Sequence, residues 1–487
     1  MPISTCTTAL YQTQDIQQVG KIKILGITYK TGFKTNEVEE NWKEVNEKIE
    51  RQIKIWSRRD LSIQGKIIVV KTFLISNCIH ILQSIGLNEN ILKDINRKLF
   101  TFIWRKKTSN KRALEKIKRT IMCSTTEKGG LSMINLENMQ DSFYIQWVHT
   151  LCNNPDNPNM KIPILILNKL DGINIFQADI NSKPALVICK SISSYFWKNV
   201  VIAWVKHNTR TNFSSYIWNN KNFTYRDSPL NFINWQKVGI RYISDITFNN
   251  KLLPFEHFKQ KMENNPALIF EYNALTTAYK SYMDKIDYNH TTEKGIFFKS
   301  IEISSTKLNP SNIRRLIVNE IVPTPHCVNF WKRNRNANID SEIWQIAKNC
   351  TKETRLRILH WKIIHNIYPT GILLKKMKLS DSEYCHHCQV VDYIEHFFIE
   401  CTQVRALWTE INQIIQIETD TRVSLDSNDI LFGLRQNSKG LNKEKVSRIN
   451  LIILIAKMSI SKHKYGKSNN LIYTFYNECH LRGLNIE

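Results

Sequence analysis

Apolar and polar positions recur along this chain with two different periods. "KIKILGITYK" (21–30) alternates polar and β-branched residues until it meets Gly26, which predicts a strand. Beyond it the period becomes helical. Trp42, Val45, Ile49, Ile53 and Trp56 recur at spacings of three and four, one apolar face over four turns. Lys43, Lys48, Arg51 and Lys54 occupy the other faces. After "RRDLSIQGK" (58–66), where Gly65 reads as a turn, a second helix runs through Ile67, Val70 and Leu74. A third carries Ile91, Ile95, Leu99 and Phe102 and ends at Trp104. "STTEKGGLSMINLE" (124–137) predicts a turn and a short apolar stretch. Residues 153–185 carry Asn and Pro clusters and read as a boundary. The stretch 186–320 is mixed and rich in Trp and Tyr, with no clear class. Residues 340–380 are helical again, with Trp361, Ile364 and Ile367 on one face, and a final helix is expected near 443–465. No internal repeat or low-complexity tract is visible.

Composition agrees with a helical chain. Only 15 Gly and 12 Pro occur in 487 residues, which disfavours a turn-rich all-β fold. The expected fold class is mainly α. Charge adds a partner. Lys and Arg outnumber Asp and Glu by 68 to 43, a net charge of +25. Such an excess implies a polyanion, nucleic acid ahead of an anionic membrane surface. Segment 41–120 alone holds 19 basic and 7 acidic residues. Eight of the 11 Cys are scattered singly, which fits a reducing compartment rather than a disulfide framework. The first twenty residues carry no Lys, Arg or apolar run, and "LIILIA" (451–456), an apolar run as long as any in the chain, is far too short to span a bilayer. The expectation is an intracellular protein, nuclear or cytoplasmic, with no membrane partner.

One stretch concentrates chemistry. "YCHHCQVVDYIEHFFIEC" (384–401) spaces its residues as Cys385-x2-Cys388-x7-His396-x4-Cys401. A tetrahedral Zn²⁺ takes four N/S ligands, and a C-x2-C knuckle brings two thiolates together from one tight turn. "EHFFIEC" then presents His396 and Cys401 from the other side, on a short helix or turn. Four protein ligands close the site, so the expected zinc is structural. His386 and His387 lie inside the knuckle and can compete as ligands, though solvent exposure suits them better. Buried cysteines without metal are the plainer alternative. A redox pair is disfavoured by the lack of a βαβ context.

These residues resemble a known family. "LHWKIIHNIYPTGILLKKMKLSDSEYCHHCQVVDYIEHFFIECTQVRALW" (359–408) is similar to the zinc-binding module at the C-terminus of non-LTR (LINE-type) retrotransposon reverse transcriptases. The resemblance rests on Trp361, His365, Pro369, Thr370, Cys385, Cys388, Glu395, His396, Phe398, Cys401, Leu407 and Trp408. "ILGI" (24–27), "IKIWSRRDLSIQGKIIVVKTFLIS" (53–76), "FTFIW" (100–104) and "EKGGLSMINLE" (127–137) look like the end of the palm and the thumb in the same family. "YIWNNKNFTY" (216–225) and "INWQKVGIRYISDI" (233–246) resemble its connector. The implied layout is a palm-like strand region over 1–30 and a helical thumb-like domain over 31–152. A connector over 153–340, a zinc module over 341–412 and a helical tail over 413–487 follow.

The family enzyme is an RNA-directed DNA polymerase whose paired aspartates hold two metal ions. This chain has no adjacent Asp pair. The resemblance begins at "ILGI", downstream of where that pair would lie, so the expectation is a fragment that does not polymerise DNA alone, with a separate palm left open as a partner. Asp245 and Asp284 share no motif that would replace the pair. A thumb grips template–primer. The expected phosphate contacts are Arg58, Arg59, Lys66 and Lys71, then Arg105, Lys106, Lys107, Lys111 and Arg112 in the basic run 105–119. The expected partner is RNA or an RNA–DNA hybrid, the retroelement's own template. A solvated basic face or an import signal is the alternative for 105–119. Trp42, Trp56, Trp104, Trp361 and Trp408 read as core, with base stacking left open for Trp218, Trp235 and Tyr225. His360 and His365 read as packing or capping partners. A zinc-stabilised protein-interaction scaffold of retroelement origin is the competing class.

Overall fold

A computed structural model of the chain describes residues 20–30, 35–105, 114–181, 188–209, 213–262, 265–285, 292–304, 308–320, 322–419, 423–466 and 470–486. Among them helix accounts for 63% and strand for 6%, the mainly α class expected. Two compact units result, each assembled from non-contiguous segments. The first comprises 1–46, 78–93 and 135–318, and the second 47–77, 94–134 and 319–487.

In the first unit "KIKILGITYK" is not one strand but a hairpin. Strands Lys21–Ile24 and Ile27–Lys30 pair antiparallel, Ile24 opposite Ile27. Leu25 and Gly26 form the turn with φ of 49° and 83°. Two successive positive φ values are what a two-residue hairpin turn of matching twist needs, and Gly26 supplies one without a Cβ clash. Period-two alternation is the same on both sides of such a turn, so the pattern alone concealed it. Trp42, buried as expected, donates from its indole to the Gly86 carbonyl at 2.7 Å. Helices Leu136–Asn153 and Tyr195–His207 enclose a core that includes Phe176, Trp204 and Phe298. A second core gathers Tyr216, Trp218, Phe223, Trp235 and Phe258. Trp218 and Trp235 are fully buried, so neither is open to a base. Asp245 closes a capping box, its carboxylate accepting from the amides of Arg241 and Tyr242 at 2.9 Å.

In the second unit Gly65 is no turn. Ser62 caps the helix Ile63–Val69 by accepting from the Gly65 amide at 3.1 Å, so Gly65 sits in the first helical turn. A π turn, Val70–Leu74, and a 3₁₀ turn, Ile75–Cys78, follow. The whole run Ile63–Ser84 has the length and mean hydropathy of a membrane-crossing helix, although no unbroken apolar run in the sequence marks it. Its buried positions Ile67, Val70, Leu74 and Cys78 give it the inward stripe of a core helix. The unit's largest core runs from Cys327 to Leu484, far past the Cys/His stretch. Helices Thr402–Thr419, Lys443–Lys464 and Leu471–His480 supply much of it.

Candidate metal centre

Residues 383–392 form a small pinched loop. The Cys385 amide donates to the Val390 carbonyl at 2.8 Å and the Asp392 amide to the Glu383 carbonyl at 2.8 Å. Gln389 turns the chain with φ of 53°. Between these bonds Cys385 is buried and Cys388 half-buried, whereas His386 and His387 point to solvent, as their position suggested. The facing side comes from a π turn, His396–Glu400. Phe397 and Phe398 anchor it, each packed on Tyr368 with ring centroids 5.3 and 4.9 Å away. The Trp408 indole donates to the Phe398 carbonyl at 2.6 Å. Aromatic anchoring on both flanks thus fixes the direction in which His396 and Cys401 point.

The four side chains expected as ligands converge. Ligand atoms of Cys385, Cys388, His396 and Cys401 all lie within 4.8 Å of one another. The Cys401 sulfur is 3.9 Å from that of Cys385 and 3.6 Å from that of Cys388. A disulfide needs about 2.05 Å. Two thiolates on one tetrahedral zinc, each about 2.3 Å from the metal, stand roughly 3.8 Å apart. The sulfurs are therefore spaced for a shared ion, not for a bond. The His396 Nε2 is buried and makes no hydrogen bond, a cost that a metal or an outside acceptor would remove.

The surroundings favour the ligating protonation states. Cys401 directly precedes the helix Thr402–Thr419, so the sulfurs lie at the positive end of an 18-residue helix. The Thr402 hydroxyl is 3.4 Å from the Cys388 sulfur. That hydroxyl and the Thr402 amide bring the Cys388 thiol down to about 7. Burial pushes Cys401 up. Burial, with the Lys464 charge next in size, lowers His396 and favours neutral imidazole, the form that binds metal.

Residues 326–408 match a family model described as zinc-binding in reverse transcriptase. No curated protein matches the chain. The match spans both halves of the Cys/His stretch and the helix Thr354–Ile364 before it. This reverse-transcriptase zinc-binding region is held against the turn at 126–131 of the same unit. The Trp361 indole and the His365 Nε2 both donate to the Gly129 carbonyl, at 2.9 and 2.8 Å. Ser62 donates to the Thr354 hydroxyl at 3.0 Å, and Arg355 pairs with Asp60 at 3.2 Å. His360 and His365 are buried, the second stacked on Trp344 and Trp361.

Of the basic residues expected on nucleic acid, Arg58, Arg59, Lys66, Lys71 and Arg105 belong to the same unit as the zinc-binding region. Arg58, Arg59 and Arg105 are exposed. Arg59 lies over the Trp56 ring at 4.9 Å. Lys66 turns inward, donating to the Arg105 carbonyl at 2.5 Å and lying over Phe102, and burial lowers its pKa. Lys106, Lys107, Lys111 and Arg112 lie outside the described residues. Sequence spacing did not reveal Thr402, Asp392 or Lys464 at the cluster. Thr402 adjoins Cys401 and was legible as a potential cap, but the other two had no local signal.

Proposed function

We propose that this chain is the C-terminal part of a LINE-type reverse transcriptase and that it binds RNA or an RNA–DNA template–primer. The match of residues 326–408 to a reverse-transcriptase zinc-binding family carries the reading. Cys385, Cys388, His396 and Cys401 would hold one zinc ion, which supplies no chemistry beyond fixing four ligands. The role that follows is structural. The zinc-binding region braces the turn at 126–131, and the basic positions of the same unit meet phosphates. Arg58 and Arg59, exposed and in no ion pair among the described residues, are the leading contacts. The palm that would hold the catalytic carboxylates is a separate element in this reading, and the chain's own contribution is grip rather than catalysis.

Filter binding of a structured RNA at rising salt tests the proposal. If about 6–10 phosphates are neutralised, affinity falls roughly 10³–10⁵-fold between 50 and 200 mM salt. Arg58→Glu with Arg59→Glu is expected to weaken binding and flatten that slope. A slope near zero in the unaltered chain would instead favour a protein-binding scaffold.

A further inference from the structure

Lys464, the last residue of the helix Lys443–Lys464, lies beyond the reverse-transcriptase match, over the Phe397 ring next to His396 and in reach of Cys401. Its side chain is only 7% exposed. Its ammonium makes no hydrogen bond. Asp392 Oδ1 forms a long ion pair with it at 4.0 Å, too far for a hydrogen bond, and accepts no hydrogen bond from any other group. The Phe397 ring lies 4.6 Å beneath the ammonium, and the Lys464 charge also acts on the Cys401 thiol. A buried ammonium held by one long ion pair is costly unless a closer anion faces it, and the Cys401 sulfur is the group in reach. The cluster provides one when loaded. Three thiolates and a neutral imidazole on a dication leave one net negative charge, spread over the sulfurs.

We propose that Lys464 carries the counter-charge of the metal-loaded thiolate cluster, so that zinc binding locks the end of the helix Lys443–Lys464 onto the Cys/His loop. The inference rests on the reading that the cluster holds zinc. It widens the metal-dependent element from residues 385–401 to a helix that ends at 464. Asp392, whose other oxygen accepts from the Gly371 amide at 3.0 Å, aligns the ammonium from the far side. The neighbouring bonds from Tyr368 to Ser461 and from Tyr465 to the Pro369 carbonyl hold the same helix end without metal. Lys464 therefore adds a metal-sensitive contact to a seat that already exists.

The test uses the full chain, titrated with zinc against a chromophoric chelator. Wild type is expected to bind one zinc ion, Lys464→Gln about 10–100-fold more weakly, and Lys464→Arg within a few-fold of wild type. If wild type takes up no zinc, the reading of the cluster falls and the inference with it. If wild type binds one ion and Lys464→Gln binds as tightly, the inference alone is overturned. Should Lys464→Gln not fold, hydrogen exchange on wild type decides. Zinc is expected to slow the amides of 461–465 at least tenfold more than those of 452–455, and equal slowing along the helix overturns the coupling.

Discussion

At the scale of single residues, the convergence of Cys385, Cys388, His396 and Cys401 was legible because ligand chemistry restricts both identity and spacing. Few residue types bind zinc, and a C-x2-C followed by His and Cys leaves little freedom. Lys464 and Asp392 were not legible, since a lysine on an amphipathic helix ordinarily reads as a solvated charge. His365 shows what burial does to a titrating group. Burial lowers it to about 4 from an ordinary 6.5, with its Nε2 proton held on the Gly129 carbonyl. Neutral imidazole is thus favoured in the fold, so stability from this residue is full above about 6.5 and is lost as pH falls toward 4. At 1.36 kcal/mol per pH unit the loss between pH 7 and pH 5 is about 2 kcal/mol. Denaturant midpoints of wild type and His365→Gln at the two pH values check this, and the variant should lose correspondingly less. Lys457 is a second case. It lies fully buried amid "LIILIAKMSI" (451–460), and burial brings it down to about 7 from 10.5. The fold therefore works against the charged form at neutral pH. Its nitrogen meets the Leu431 carbonyl at 3.0 Å and the His360 Nδ1 at 3.4 Å. Three or more pH units of depression outweigh two hydrogen bonds worth about 1 kcal/mol each. Lys457→Met is expected to stabilise the chain by roughly 2–3 kcal/mol at pH 7, read as a higher denaturant midpoint.

At the scale of elements, apolar spacing located the helices well and their joints poorly. The helices Thr35–Trp56 and Glu89–Trp104 lie where their three–four spacing placed them. The hairpin turn at Leu25–Gly26 and the π turn Val70–Leu74 were missed, and the helix Leu471–His480 was expected only as part of a helical tail over 413–487. A π turn adds one residue without changing which types are apolar, so no pattern announces it. Two glycines show how a joint can be fixed by backbone alone. Gly129 has φ of 81°, and a Cβ there would meet the Trp344 ring at 2.8 Å. At Gly130 a Cβ would stand 2.1 Å from the Ser124 carbonyl oxygen, a backbone atom with little room to yield. The pair lets the turn pass close enough for the Gly129 carbonyl to receive both Trp361 and His365. Gly130→Ala is expected to cost about 1–3 kcal/mol from overpacking, or more if the turn is displaced. Thermal denaturation would report it, with Gly20→Ala, where a Cβ meets nothing within 4 Å and φ is ordinary, as the comparison for a glycine without close neighbours.

At the scale of the molecule, the chain assembles units that its linear order conceals. Segments 47–77 and 94–134 join 319–487 in one unit, and this pairing of distant segments has no periodicity to betray it. The consequence is that the zinc-binding region cannot be a free-standing finger. Its match ends at 408, but the core it belongs to continues through Ile411, Ile415, Ile452, Ile453, Ile455 and Phe475, all at 1% exposure or less. Each such side chain contributes about 1.5–3 kcal/mol on burial. These six alone amount to roughly 9–18 kcal/mol, comparable with the 10–16 kcal/mol that a structural zinc supplies to a small finger peptide. A fragment of 326–408 also lacks Gly129, leaving the Trp361 and His365 donors without their acceptor. Zinc held at the cluster would therefore organise the loop without replacing the missing core. The expected behaviour of 326–408 with one equivalent of zinc is metal uptake without a cooperative thermal transition, whereas the full chain shows both. Calorimetry of the two, loaded and stripped, distinguishes the cases. A sharp transition in the loaded fragment would mean that the metal alone suffices and that the long core is an accessory.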